Sequence, residues 1–192
     1  MPRLIDHSQR EQDIADAAWR VLARDGLLAL SVRNVADEAG LATASLRRVF
    51  PTQDALRAYC LQVVGDRVQG RLDALPTGGE VHDYVEQCLQ QLLPLDAERR
   101  AETEVFLTVG ALAFTNPAVR TAFAASHALI ATACESLLGM LMDMPRPRLT
   151  EHARRLHALL DGLAFHLVHD PALGPGWAVA ELRHHLDSLP AQ

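Results

Sequence analysis

Ser31-Val32-Arg33-Asn34-Val35-Ala36-Asp37-Glu38-Ala39-Gly40-Leu41-Ala42-Thr43-Ala44-Ser45-Leu46-Arg47-Arg48-Val49-Phe50 is the most specific stretch of the chain. Ser31 suits the N-cap of a short helix whose Val32, Val35, Ala36 and Ala39 share one face, and Gly40 ends it. A second short helix runs from about Ala42 to Phe50, and Pro51 then forces the chain out, because the residue before proline avoids helical geometry. Two short helices joined by a tight turn at Gly40-Leu41 make a helix-turn-helix layout. Its packing needs small residues where the helices cross, which Ala36 and Ala39 supply. It also needs a residue tolerant of left-handed geometry at the turn, which Gly40 supplies. Leu46, Val49 and Phe50, at i, i+3 and i+4, form the expected inner edge of the second helix.

Counted from that edge at about 100° per residue, Ala44 and Arg48 point most directly outward, flanked by Arg47 and Ser45. Two arginines among small and hydroxyl side chains suit a reader of the DNA major groove. Arginine forks onto guanine O6 and N7, and small neighbours allow close approach to the bases. An ordinary surface helix with two solvated arginines is the competing reading of the same residues.

Outward from this motif, the first helix is expected over about Arg10–Arg24, with Ile14, Ala17, Ala18, Val21 and Leu22 on one face and Gly26 as its stop. Trp19 lies off that stripe, against a neighbour. Thr52 caps a longer fourth helix, about Gln53–Leu75, with Asp54 in its first turn where the helix dipole favours an anion. Pro76-Thr77-Gly78-Gly79 breaks the pattern. Further helices are expected at about Val81–Leu93, Ala97–Thr115, Ala118–Met142, Thr150–His169 and Trp177–Leu189, punctuated by Asn116-Pro117, Pro145–Pro147 and Pro171–Pro175. Alternating β-branched runs and hairpin turns are missing, so the fold class is all-α.

Composition narrows the function. The chain has 192 residues, about half apolar and a little over a fifth charged, the balance of a globular protein with a sizeable core. All 18 basic residues are arginine, which excludes a P-loop lysine, a Schiff-base lysine and a lysine general base. Cys60, Cys88 and Cys134 are odd in number and far apart, suited to buried apolar positions in a reducing compartment. The formal net charge is −6, yet eight arginines balance eight acids in residues 1–60, so the whole deficit lies in the rest of the chain. That asymmetry points to two jobs in one chain. Apolar stretches such as Val105–Phe114 fall short of the ~20 residues of a membrane span. The start of the chain, with Pro2, Arg3, Asp6 and His7, lacks the apolar core of a signal peptide. A cytoplasmic protein without membrane contact is expected.

The block from the first helix through Gly26, Ser31–Ala36, Ala39-Gly40-Leu41, Ser45-Leu46, Phe50-Pro51-Thr52 and Leu56 resembles the TetR-type (tetracycline-repressor-like) regulators, over roughly Gln9–Cys60 without a gap. Asp161-Gly162-Leu163-Ala164-Phe165, Asp170-Pro171 and the last helix resemble the C-terminal half of the betaine-repressor-like branch. The resemblance implies a helix-turn-helix DNA-binding domain over residues 1–52, with the motif at about 31–50. A larger helical ligand-binding and dimerisation domain follows over 53–192, linked by the fourth helix. It implies a homodimer that binds a palindromic operator on double-stranded DNA, as a repressor released by a small effector, and no enzyme. The DNA-facing set it implies is Ser31, Arg33, Thr43, Ala44, Ser45, Arg47, Arg48, Thr52 and Gln53. Three positions depart from the family pattern. Arg47 replaces a common tyrosine, with a stronger charge for the same phosphate; Val49 replaces a histidine; Gln53 replaces a lysine and lacks its charge.

In the C-terminal part, candidate effector contacts are Tyr84 and Cys88 on one helix and Thr103, Phe106, Leu107 and Gly110 on the next. Phe123 and His127 follow, then Phe165 and His166. Each is equally at home in a packed core. The scarcity of aromatics suggests a medium-sized, mainly apolar effector. The last two helices carry stripes of Leu156, Leu159, Leu160, Leu163 and Leu167, then Leu182, Leu186 and Leu189. These would make a four-helix interface between two copies, in competition with packing inside one copy. Nine histidines raise the question of a metal. His166 and His169, or His157 and Asp161, share a helix face, but no third ligand follows at recognisable spacing, so no metal or other cofactor is expected. Two other functions fit less well. An all-α enzyme lacks any Gly-x-Ser-x-Gly, phosphate loop or His-Glu-x-x-His, and a protein-interaction module would have kept the fold and lost DNA binding.

Overall fold

The structure, a computed structural model, describes residues 7–190, with side chains from Arg10 onward; Pro2, Arg3 and Asp6 lie outside the described residues. Among these there are nine α-helices and no strand: α1 (His7–Asp25), α2 (Val32–Glu38), α3 (Thr43–Val49), α4 (Gln53–Asp73), α5 (Val81–Gln90), α6 (Ala97–Ala113), α7 (Pro117–Leu141), α8 (Arg146–His169) and α9 (Pro175–Asp187). The expected all-α class and helix order are observed, with boundaries within four residues of those expected, and three of the shifts have a direct local cause. Arg146 and Pro175 open α8 and α9 earlier than expected, because a proline in the first turn gives up an N–H that has no helical partner. The end of α5 comes sooner, at Gln90, where Leu92 and Leu93 N–H turn back to the carbonyls of Leu89 and Gln90 ahead of Pro94.

Packing divides the chain into two compact units. One comprises Met1–Val64 with Val105–Phe123, the other Gly65–Glu104 with Ala124–Gln192. The division falls inside α4, α6 and α7, so three helices contribute to both units, and it does not follow the expected functional boundary at residues 52/53.

The core of the first unit holds the expected α1 stripe, Ile14, Ala17, Ala18, Val21 and Leu22. Leu30, Val35, Ala36, Leu46, Phe50, Leu56 and Cys60 complete it, together with Val105, Val109, Ala113 and Val119 from α6 and α7. Trp19 packs against this core from its edge. At the α6–α7 corner, Asn116 accepts from the N–H groups of Ala118 and Val119 (3.0 and 3.2 Å), and its amide donates to Asp54 at 2.6 Å. Asp54 is also held by Arg57 (3.0 Å), so it acts as a bridge as well as a first-turn anion.

In the second unit α5, α7, α8 and α9 enclose Val85, Leu89, Leu93, Cys134, Leu138, Met142 and the leucines of α8 and α9. Unlike the first, it buries charge. Glu102 on α6 meets Arg71 on α4 through two contacts (2.7 and 2.6 Å) and Arg67 at 3.1 Å, and Arg67 also reaches Glu98. Glu86 on α5 takes a two-pronged contact from Arg183 on α9 (3.0 and 2.8 Å). Arg100 donates to the last carbonyls of α8, at Leu167 and Val168 (2.8 and 2.7 Å), where a cation complements the helix dipole.

Two expectations are corrected. The longest apolar helix is α7, not the Val105–Phe114 stretch. By length and composition α7 is the one described helix that could cross a membrane, and little of it is buried in this chain. The second concerns the leucine stripes. Leu156, Leu160, Leu163, Leu167, Leu182 and Leu186 are 0–4 % exposed inside a single chain, where α8 and α9 pack together and α5 meets α9. Side chains already dry in one copy cannot form the surface that meets another. Only Leu159 and Leu189 are half-buried.

Candidate nucleic-acid interface

Local chemistry builds the helix-turn-helix as expected. The Ser31 hydroxyl accepts the Asn34 N–H at 3.0 Å, capping α2. Gly40 has φ +65°, with its N–H directed to Asp37 carbonyl (3.3 Å) and the Leu41 N–H to Ala36 carbonyl (2.8 Å). This is the paired capping that needs a left-handed residue after the last turn. The Thr52 hydroxyl accepts the Ala55 N–H at 3.1 Å and starts α4. Leu46 and Phe50 are buried, and the Phe50 ring sits 4.8 Å from that of Tyr59. Val49 is the exception to the expected inner edge, at 52 % exposure. The helix is only seven residues long, the i, i+4 pair fills the core, and the i+3 position falls on the flank.

Ala44, Arg47 and Arg48 are exposed and Thr43 and Ser45 half-buried, the outward face expected of the second helix. Among the described residues neither Arg47 nor Arg48 forms an ion pair, whereas nearby acids are engaged. Glu38 is held by Arg20 (2.8 Å) and Arg24 (2.9 Å) of α1, whose hydrogen bonds, Arg20 first, keep its carboxyl below the usual range. Arg33 lies 3.8 Å from Asp37, both exposed. Gln53 departs from the outward set, for its side-chain amide donates to the Leu30 carbonyl and so clamps the start of α4 to the α1–α2 loop.

The ten candidate effector contacts are divided between the units. Phe106, Leu107, Gly110 and Phe123 belong to the first. There the Phe123 ring lies 4.8 Å from that of Phe106, and so close to Gly110 that a Cβ would stand 2.8 Å from its edge. Both rings pack against the core, and only glycine permits this approach. In the second unit Tyr84 and Cys88 stand one turn apart on α5, and the Cys88 thiol raises the Tyr84 pKa. The Thr103 hydroxyl donates to the Arg99 carbonyl (2.9 Å). Phe165 and His166 are exposed; Phe165 stacks on His169 with ring centroids 4.1 Å apart.

His127, one of the expected effector contacts, is on α7. It lies against His157 of α8, ring centroids 4.3 Å apart, and within 3.7 Å of Asp161. The third group absent from the local spacing of His157 and Asp161 is thus supplied thirty residues earlier in the chain, which spacing alone does not reveal. His157 is 6 % exposed, and this burial lowers its pKa, opposed by the charge of Asp161. All three cysteines are free and buried. Desolvation pushes Cys60 up to about 12, and desolvation together with the Asp161 charge does the same for Cys134. The polar network of Glu102, Arg67 and Arg71 and the clamp of Asn116 on Asp54 had no sequence signal, since each joins residues 31 or more apart.

Residues 14–60 match the family of bacterial regulatory proteins of the tetR type, and residues 81–191 match the C-terminal part of BetI-type transcriptional repressors. The chain is 36 % identical over 181 residues to the HTH-type transcriptional regulator PksA of Bacillus subtilis (strain 168), covering 89 % of this chain and 84 % of that protein. A transcriptional regulator from Rhodococcus sp. Rha1 superposes with a TM-score of 0.75 at 29 % identity, covering 92 % of this chain and 93 % of the other. The multidrug binding protein EbrR, in complex with imidazole, gives 0.67 at 29 % identity, covering 100 % and 96 %. With a matched helix-turn-helix at one end and a matched C-terminal half at the other, the chain belongs to the TetR family of transcriptional regulators.

Proposed function

We propose that this regulator is a repressor that binds a palindromic operator as a homodimer in the cytoplasm and releases it when a small, mainly apolar effector binds. The observation that carries the reading is the exposed pair Arg47 and Arg48, without an ion-pair partner among the described residues, on a helix anchored by buried Leu46 and Phe50. Ala44 and Arg48 face the bases, and Arg47 takes a phosphate. Ser31, Arg33, Thr43, Ser45 and Thr52 border the contact, and Gln53 acts as the clamp already described. Residues 1–52 carry DNA recognition and 53–192 effector binding and dimerisation.

Effector response needs a ligand that favours one arrangement of the dimer over another. The corner formed by Phe106, Gly110 and Phe123 lies in the same unit as the Asn116–Asp54 bond, which holds the first turn of α4 next to Thr52. A shift of α6 against α7 is therefore felt at the start of α4. A relative that binds imidazole supports a small-molecule effector. Tyr84, Cys88, Thr103, Leu107, His127, Phe165 and His166 remain candidates for contacting it. The dimer forms through what α8 and α9 leave outward, including half-buried Leu159 and Leu189 and the exposed Phe165.

The test is binding of the purified protein to its own upstream DNA and to random DNA across salt concentrations, with sedimentation of the same samples. Arg48→Ala is expected to weaken the operator complex about tenfold or more, at ~1–3 kcal/mol for a lost base contact, and to spare random DNA. Arg47→Ala is expected to weaken both and flatten the salt dependence. Unchanged affinities for Arg48→Ala, or a wild-type protein that sediments as a monomer at micromolar concentration, would overturn the reading.

A further inference from the structure

His127, His157 and Asp161 bring three metal-ligating atoms within 4.8 Å of one another in the second unit, at the meeting of α7 and α8. His157 is 6 % exposed, and its Nε2 is buried without a hydrogen-bond partner. A buried imidazole nitrogen left unsatisfied carries a desolvation cost that a native structure normally offsets. The atoms facing it are the Asp161 carboxylate, 3.8 Å away, and the His127 ring. Asp161 lies 3.7 Å from His127 Nε2. Both separations are too long for hydrogen bonds. They are close to the ~3.4 Å between donor atoms that bonds of ~2.0–2.1 Å impose around a tetrahedral cation. The side chains of His127 and Asp161 are 46 % and 50 % exposed, so the site opens to solvent on the side away from His157.

We infer that His127, His157 and Asp161 form a binding site for one divalent transition-metal ion of the zinc, cobalt or nickel kind, with solvent completing its coordination. Two imidazoles and one carboxylate select this class over calcium or magnesium, which prefer oxygen ligands alone. The two separations from Asp161 exceed that tetrahedral spacing by a few tenths of an ångström, and the three ligand atoms together span no more than 4.8 Å, a gap that side-chain rotation can close around an ion. The two histidines come from different helices, so the ion bridges α7 and α8, whereas either ligand pair on α8 alone would not. This inference does not rest on the DNA-binding reading, since it concerns ion binding by the isolated protein.

Chelator-stripped full-length protein titrated with Zn²⁺ by calorimetry, and with Co²⁺ by visible absorption, tests the site. One ion per chain is expected to bind with a dissociation constant well below ~100 µM. His127→Ala and Asp161→Asn, both about half-exposed and so tolerated by the fold, are each expected to weaken that phase by ~100-fold or more. This exceeds the ~10–100-fold typical of outer-shell partners. Circular dichroism of the metal-free variants should match wild type, and weaker binding by other surface histidines should persist in both. Absence of the tight phase in wild type, wild-type affinity in either variant, or an intense thiolate charge-transfer band with Co²⁺ would overturn the site.

Discussion

The first unit keeps its charges outside and the second takes them in. In Met1–Val64 with Val105–Phe123, the buried side chains are apolar from Ile14 to Val119. The arginines of α3 point to solvent. In Gly65–Glu104 with Ala124–Gln192 lie all three buried polar or charged side chains among the described residues, Glu86, Glu102 and His157. An apolar core packs well in many related sequences, so it suits a motif whose outward residues must stay free to meet DNA. Buried ion pairs gain little net stability, and breaking one is costly because the partner charge is left behind. The second unit therefore depends on particular pairings.

The contrast can be broken from either side, and the two tryptophans report separately. Trp19 packs on the first core and Trp177 on the second, so Trp177→Phe and Trp19→Phe backgrounds isolate each unit's fluorescence. The largest effect is expected for Leu46→Ala, which opens a cavity at a fully buried site and should cost ~2–5 kcal/mol in urea unfolding read from Trp19. Glu102→Ala removes the carboxylate shared by Arg67 and Arg71. A fully buried pair would lose ~3–5 kcal/mol, but these arginines are about a quarter exposed, so ~2–3 kcal/mol is expected, read from Trp177. If Leu46→Ala and Glu102→Ala shift both reporters equally, the units unfold as one and the contrast loses its energetic meaning.

Smaller changes sharpen it. Gly110→Ala forces the Phe123 ring to move and should cost ~1–3 kcal/mol by overpacking, while Gly139→Ala, whose Cβ would meet only the end of Leu149 at 3.5 Å, should be mild. The smallest effect is set by pH. Arg20, then Arg24, depress the Glu38 pKa, so the contribution of this carboxylate is complete above the ordinary glutamate range. It is lost as pH falls through the lower folded value. Acid titration of the melting temperature should show a steeper fall for wild type than for Glu38→Gln, and identical slopes would remove the pairing from the account.

Most of the first unit was legible because its instructions are local. Ser31, Gly40 and Thr52 each act within about five residues, through caps and a left-handed turn, and the structure contains each of these contacts. Val49 shows the limit: periodicity placed it inward, but a helix of seven residues has one buried edge, and Leu46 and Phe50 occupy it. Gln53 is a second case. Its position invited a phosphate contact, yet a carbonyl 23 residues earlier takes its amide.

What the sequence alone determined is the all-α class, the order of the helices, the helix-turn-helix and its outward arginines. Helical periodicity and capping act over a few residues and depend little on what packs around them. Only the tertiary structure decided that the leucine stripes of α8 and α9 face inward, because an apolar stripe is the same whether a neighbouring helix or a second copy covers it. It also decided that α4, α6 and α7 contribute to both units, that Glu102 meets Arg67 and Arg71, and that His127 meets His157 and Asp161. Each of those joins residues about thirty or more apart, and such meetings depend on how whole helices cross, which no local pattern encodes.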